Sequence, residues 1–92
     1  MANAIVTIKI MPDSPEVDMH ALEKKVLHEI KEFCHKDDHK TEIEPIAFGL
    51  KALKITFVMD EKIGSTDKLE SAIAAFEEVN SVDVVDVRRA IG

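Results

Sequence analysis

Thr41-Glu42-Ile43-Glu44-Pro45-Ile46-Ala47-Phe48-Gly49-Leu50-Lys51-Ala52-Leu53-Lys54-Ile55-Thr56-Phe57-Val58-Met59 decides the fold. Leu53, Ile55, Phe57 and Met59 alternate with Ala52, Lys54, Thr56 and Val58, the period of a strand with one buried face. Thr41 to Ile46 is also extended. Pro45 has no N–H for a ladder, so this segment belongs at a sheet edge. Gly49 lets the chain turn between the two runs, which makes a hairpin in mid-chain. Phe48 beside that glycine gains nothing from water. Either it folds back onto a core or it is offered to a partner as an aromatic anchor.

Working outward, Ala4 to Ile10 reads as a strand with Val6, Ile8 and Ile10 on one face, stopped by Pro12 to Pro15. Asp18 can cap a helix running to about Phe33, with Leu22, Val26, Ile30 and Phe33 as its apolar stripe. Cys34 to His39 is a polar connector. Beyond the hairpin, Asp60 to Gly64 turns the chain. Ser65 or Thr66 then caps a second helix, Asp67 favours its positive end, and Leu69, Ala72, Ile73 and Phe76 form its stripe. Asn80 and Ser81 should end it, and Val82 to Arg88 is the last strand. Val84 and Val85 are adjacent there, which points to a bulge or burial on both sides.

The order is β-α-β-β-α-β, the ferredoxin-like α+β sandwich: an antiparallel sheet with both helices on one face. Ile5, Thr7, Lys9, Ala52, Lys54, Thr56 and Val58 are left on the other face, a mixed surface expected to be partly covered or to meet a partner. The 92 residues, 46% of them hydrophobic, suit a single domain spanning 1–92. Twelve basic residues against eighteen acidic ones give a net charge of −6, which suits a basic partner better than nucleic acid. Cys34 is the only cysteine, which excludes an internal disulfide and fits a reducing compartment. With no leader and no apolar run of membrane length, a soluble cytoplasmic protein is expected.

Arg88-Arg89 close the last strand, either as a solubilising end or as a basic finger for a phosphate or carboxylate. Cys34, His35 and His39, with Asp37 and Asp38, crowd potential ligands into one loop. A closed zinc site needs four well-placed ligands and no second Cys/His pair exists, so no metal is assigned. His20 and His28 lie off the first helix's stripe and should be solvated. Lys9, Lys51 and Lys54 invite an RNA reading. It fails because Phe57 shares the parity of the core residues and leaves no aromatic on the open face to stack a base. There is no phosphate loop, nucleophile motif or HExxH, and Asp60-Glu61 and Glu77-Glu78 read as solvated carboxylates. No catalytic residue or cofactor is assigned.

Four segments together resemble the archaeal elongation factor 1-beta family: Ile8 to Asp18, Pro45 to Lys54, Gly64 to Glu70, and Ser81 to Arg89. The resemblance covers nearly the whole chain. It implies the ferredoxin-like fold and an exchange factor, not an enzyme, that promotes release of GDP from the GTPase elongation factor 1-alpha by distorting its nucleotide and magnesium site. Eukaryotic members carry this domain at the end of longer chains, so a bare domain looks archaeal. Phe48 matches the hairpin phenylalanine that inserts into the G protein. Arg89 matches a near-C-terminal lysine of eukaryotic members that approaches the magnesium site. Arginine is bulkier and forked, so a lysine mechanism does not transfer intact, and Arg88 is an alternative. The expected partner-binding set is Phe48, Gly49, Lys51, Arg88 and Arg89, with no direct contact to nucleic acid or membrane.

The competing reading is a regulatory or oligomerising module that binds a small molecule, or itself, through the open face. A Phe48-Gly49 tip exposed beside Arg88-Arg89 favours the exchange factor; Phe48 packed inside a symmetric dimer favours the module. In this topology the third and fourth strands run parallel. The arginines should therefore lie toward the end of the sheet away from Phe48, unless the tail folds back.

Overall fold

The computed structural model describes residues 3–35 and 38–90. Strand β1 (Asn3–Pro12) leads to helix α1 (Met19–Cys34), then to the hairpin strands β2 (His39–Pro45) and β3 (Lys51–Asp60). A 3-10 turn (Glu61–Ile63), helix α2 (Asp67–Ala74) and strand β4 (Val79–Ala90) complete the chain. The sheet order is β2-β3-β1-β4, and every neighbouring pair is antiparallel. This is the ferredoxin-like arrangement, with β2 at an edge as Pro45 requires.

The core is one cluster. Val6, Ile8 and Ile10 of β1 and Leu53, Ile55, Phe57 and Met59 of β3 meet Leu22, Val26 and Ile30 of α1 and Leu69 and Ile73 of α2. The alternation in β1 and β3 is therefore burial on one face. Asp18 caps α1 as expected, accepting from the N–H groups of His20 at 3.0 Å and Ala21 at 3.2 Å. His35 stops the helix in the left-handed region, at φ 56°, and its N–H donates to the Lys31 carbonyl. One turn in the loop that carried no assigned role is thus a helix cap.

Several boundaries differ from the sequence reading. Cys34 is not part of a polar connector; it is the last buried residue of α1, while Phe33 only packs partly against the core. Helix α2 ends at Ala74, well short of Asn80, and Phe76 lies in the turn beyond it. No basic residue occupies its last turn, and Glu77 and Glu78 follow, which the negative end of a helix disfavours. β4 instead starts at Val79, which pairs with Pro12 and is almost fully buried. The α2 cap is also rearranged: Ser65 Oγ accepts from the Asp67 N–H, whereas the Thr66 hydroxyl donates to Glu70. Ala52, assigned to the open face, is fully buried.

The expected irregularity in β4 is a bulge. Thr7 pairs with Asp86 but the next β1 residue, Ile8, pairs with Val84, so Val85 is the extra residue. It resets the parity of everything after it. Without it Asp86 would oppose Val6 and face the core. With it Val87 opposes Val6, Arg88 opposes Ile5 on the open face, and Arg89 opposes Ala4 on the helix side.

Candidate partner-binding site

The hairpin tip is a tight turn. The Leu50 N–H donates to the Ala47 carbonyl at 2.9 Å, and the Ile46 N–H donates to the Leu50 carbonyl at 2.9 Å. Both central residues have positive φ, 54° at Phe48 and 80° at Gly49. A turn with two such residues favours Asn-Gly or Gly-Gly. Gly49 is suited to it. A Cβ there would sit 3.6 Å from Pro15 Cβ, an ordinary contact, so the backbone angle rather than space calls for glycine. Phe48 is not suited: a left-handed residue with a Cβ costs roughly 1–2 kcal/mol. Its side chain recovers nothing by packing, since it is 97% exposed.

Lys51 stands opposite Pro45 at the base of the same turn and is exposed. Ile46 is 41% exposed beside it. A groove of about 410 Å³ runs from Gly49 and Lys51 to Pro15 and Val17 of the β1–α1 connection and Met19 at the start of α1. This end therefore offers an aromatic anchor, an aliphatic neighbour, a cation and a shallow groove.

The arginines lie at the opposite end of the sheet, not beside the tip. Arg89 pairs with Ala4, whereas the hairpin end of β3 reaches β1 at Ile10. The six residue steps from Ala4 to Ile10 span roughly 20 Å, with the tip farther still. Arg88 and Arg89 also point to opposite faces. On the open face, Arg88 Nε donates to Asp86 Oδ2 at 3.0 Å. On the helix side, Arg89 Nε and Nη2 donate to the two Glu61 carboxylate oxygens, each at 2.7 Å. That fork holds Glu61 below the usual glutamate range and raises Arg89, each mainly through the shared hydrogen bonds. Glu61 is thus paired as well as solvated, which the sequence did not suggest. So is Glu78, which takes a 2.8 Å bond from Lys25 Nζ and is held low by it. A cleft of about 460 Å³ lies beside the Arg89 fork, floored by Ala4, Val6, Met59 and Val87.

On the open sheet face, Thr7 and Thr56 share a 3.0 Å hydroxyl bond and Lys54 pairs with Glu44 at 3.6 Å. Phe57 is 1% exposed on the opposite, core side. Among the described residues, no group of three or more His, Cys, Asp or Glu is arranged to hold a metal, and Asp37 lies outside those residues. No helix among them is long and apolar enough to cross a membrane.

The chain is thus a small α+β module with an exposed aromatic at one end and a tethered guanidinium at the other. The family described as the EF-1 guanine nucleotide exchange domain matches residues 5–90, and this chain belongs to that family. Elongation factor 1-beta of Methanothermobacter thermautotrophicus is 42% identical over 89 residues, covering 97% of this chain and 98% of that one. Elongation factor 1-beta of Methanocaldococcus jannaschii is 42% identical over 93 aligned positions, covering 98% and 100%. The de novo designed protein Foldit4 superposes with a TM-score of 0.56 at 18% identity over 98% of both chains, a likeness of fold alone. The chain is an archaeal guanine nucleotide exchange factor of translation elongation.

Proposed function

We propose that this chain releases GDP from elongation factor 1-alpha by gripping it at two separated points. Phe48 inserts into the GTPase, helped by Lys51 and the turn at Gly49. Arg89 acts at the nucleotide and magnesium site from the far end of the sheet. Arg88 lies on the opposite face of β4 from Arg89. Exchange of this kind makes and breaks no covalent bond, so the chain acts as a binding partner, not as an enzyme. It works because the factor binds the nucleotide-free GTPase more tightly than the GDP-bound one. The reading places it in the cytoplasm, on the GTPase and not directly on nucleic acid or membrane.

The observation that carries the proposal is Phe48, 97% exposed at φ 54°. A strained backbone that holds an apolar side chain in water serves nothing inside the chain.

The test is release of labelled GDP from an archaeal elongation factor 1-alpha, with the factor titrated. Phe48→Ala should raise the half-saturating concentration about thirtyfold, the worth of a ~2 kcal/mol anchor, and leave the fold intact. Arg89→Ala should lower the saturating rate more than it weakens binding. Wild-type release by both variants would sink this assignment of roles.

A further inference from the structure

Arg89 stands one residue from the end of β4, where a long cationic side chain would ordinarily sample many rotamers. It does not do so freely here. Both edges of its fork rest on Glu61, Nε on one oxygen and Nη2 on the other, at 2.7 Å each. The support under Glu61 is local and well defined. Asp60 caps the 3-10 turn by accepting the Lys62 N–H at 2.9 Å, and the Gly64 N–H closes it on the Glu61 carbonyl at 3.1 Å. Gly64 adopts φ 81° and ψ −118°, a conformation that needs glycine. The Glu61 side chain is 28% exposed while that of Arg89 is 69% exposed, so the carboxylate forms the base and the guanidinium the outward surface. A guanidinium carries five N–H donors. Engagement through Nε and Nη2 leaves the Nη1 amino group and a second Nη2 hydrogen pointing away from Glu61, available to an oxygen on a partner.

We infer that Glu61 is a positioning residue for Arg89: it fixes the guanidinium in advance in the orientation in which Arg89 meets the GTPase. The inference rests on the reading of Arg89 given above. Its physical content is preorganisation. Ordering a flexible side chain during the encounter costs binding energy, and a side chain already ordered removes that cost at the step where its geometry matters. Glu61 touches neither the nucleotide nor the partner in this scheme. It acts only through Arg89, 28 residues away in sequence.

The experiment is labelled-GDP release across a range of factor concentrations, separating saturating rate from half-saturating concentration. Glu61→Gln should lower the saturating rate roughly three- to tenfold, the reach of immobilising one such side chain. The half-saturating concentration should change by less than about twofold, because the anchor at Phe48 is untouched. Glu61→Asp, which keeps the charge on a shorter arm, should recover part of the rate. Glu61→Gln combined with Arg89→Ala should be no slower than Arg89→Ala alone. The exchange of partners, Glu61→Arg with Arg89→Glu, should keep the thermal stability but not the rate. A wild-type rate in Glu61→Gln, with Arg89→Ala still slow, overturns the role of Glu61 and leaves that of Arg89 standing. So does full additivity in the double variant, which would make the bridge a staple and nothing more; a wild-type rate in the exchanged pair, which leaves no arginine at position 89, overturns the role of Arg89 as well. A wild-type rate in Arg89→Ala overturns both readings together.

Discussion

At the hairpin end, Phe48 is 97% exposed and its direction is set by backbone angles, φ 54° followed by 80° at Gly49. At the other end, Arg89 is also exposed, but its direction is set by a side-chain fork onto Glu61 at 2.7 Å. The difference follows from the chemistry of the two side chains. A benzyl group has no directional bond to offer, so only the main chain and hydrophobic contact can aim it. A guanidinium can be aimed by hydrogen bonds without straining the backbone. The tip therefore stores strain, and the arginine end uses part of its donor capacity.

Both ends hang on one frame, since β1 and β3 run between them and α1 packs on both strands' buried faces. The largest effect should come from damaging that frame. Ile30 is 2% exposed within the α1 stripe. Ile30→Ala should destabilise by roughly 2–5 kcal/mol in chemical denaturation. Amide protection near Lys51 and near Val87 should fall together. A loss confined to one end would show that the two regions are separate folding units and that the comparison is one between neighbours, not between parts of one body.

The frame was legible in the sequence for a plain reason. Alternation in β1 and β3, the Asp18 cap and the α1 stripe are local signals, and each names its own element. The tip was half legible. Phe48-Gly49 announced a turn but left open whether the aromatic packs back or stands exposed, and nothing local said that phenylalanine itself would take the left-handed angle. The end of α2 was hidden because no glycine or proline marks it; the chain stops where Val79 is needed opposite Pro12. The Glu61–Arg89 fork was the least legible. It requires β1 to bring β3 and β4 to either side of Ala4, which pairs with both Met59 and Arg89. It also requires Val85 to shift the parity by one residue. A single deleted bulge would have put Arg89 on the other face; the adjacent Val84 and Val85 pointed to a bulge or to burial on both sides, without deciding between them.

A gain in stability is the sharper test of the tip. Asparagine tolerates the left-handed region far better than phenylalanine does. Phe48→Asn should therefore stabilise the free protein by about 1 kcal/mol, which for a domain of this size raises Tm by about 5 °C. The same variant should lose partner affinity as Phe48→Ala does. Stability gained where function is lost is the expected mark of strain kept for a binding site. An unchanged or lower Tm would mean that the turn is relaxed in solution, and the contrast between the two ends would lose its first half.

The smallest effect belongs to the fork, because an exposed ion pair contributes little to stability. Its signature is the pH range, not the size. Glu61 is held below the ordinary glutamate value, chiefly by the hydrogen bonds from Arg89. Its contribution is therefore fully present above the unfolded glutamate pKa of about 4.3 and is lost as the pH falls through the lower folded value. Arg89 is raised, so its own contribution is lost only at strongly alkaline pH, and the acid side alone is testable. Glu78 is lowered in the same direction by Lys25, so the wild-type profile mixes the two pairs. The difference between wild type and Glu61→Gln isolates one of them. Denaturant midpoints measured at pH 7 and at successively more acid pH should show a small advantage for the wild type at pH 7 that shrinks as the pH falls below the ordinary glutamate range. The difference between wild type and Glu78→Gln should behave alike but independently, since the pairs sit on different elements. An advantage of the Glu61 carboxylate that does not shrink at all on acidification would mean that the fork contributes nothing through its ionised form, and that Arg89 is no more tethered than Phe48 is packed.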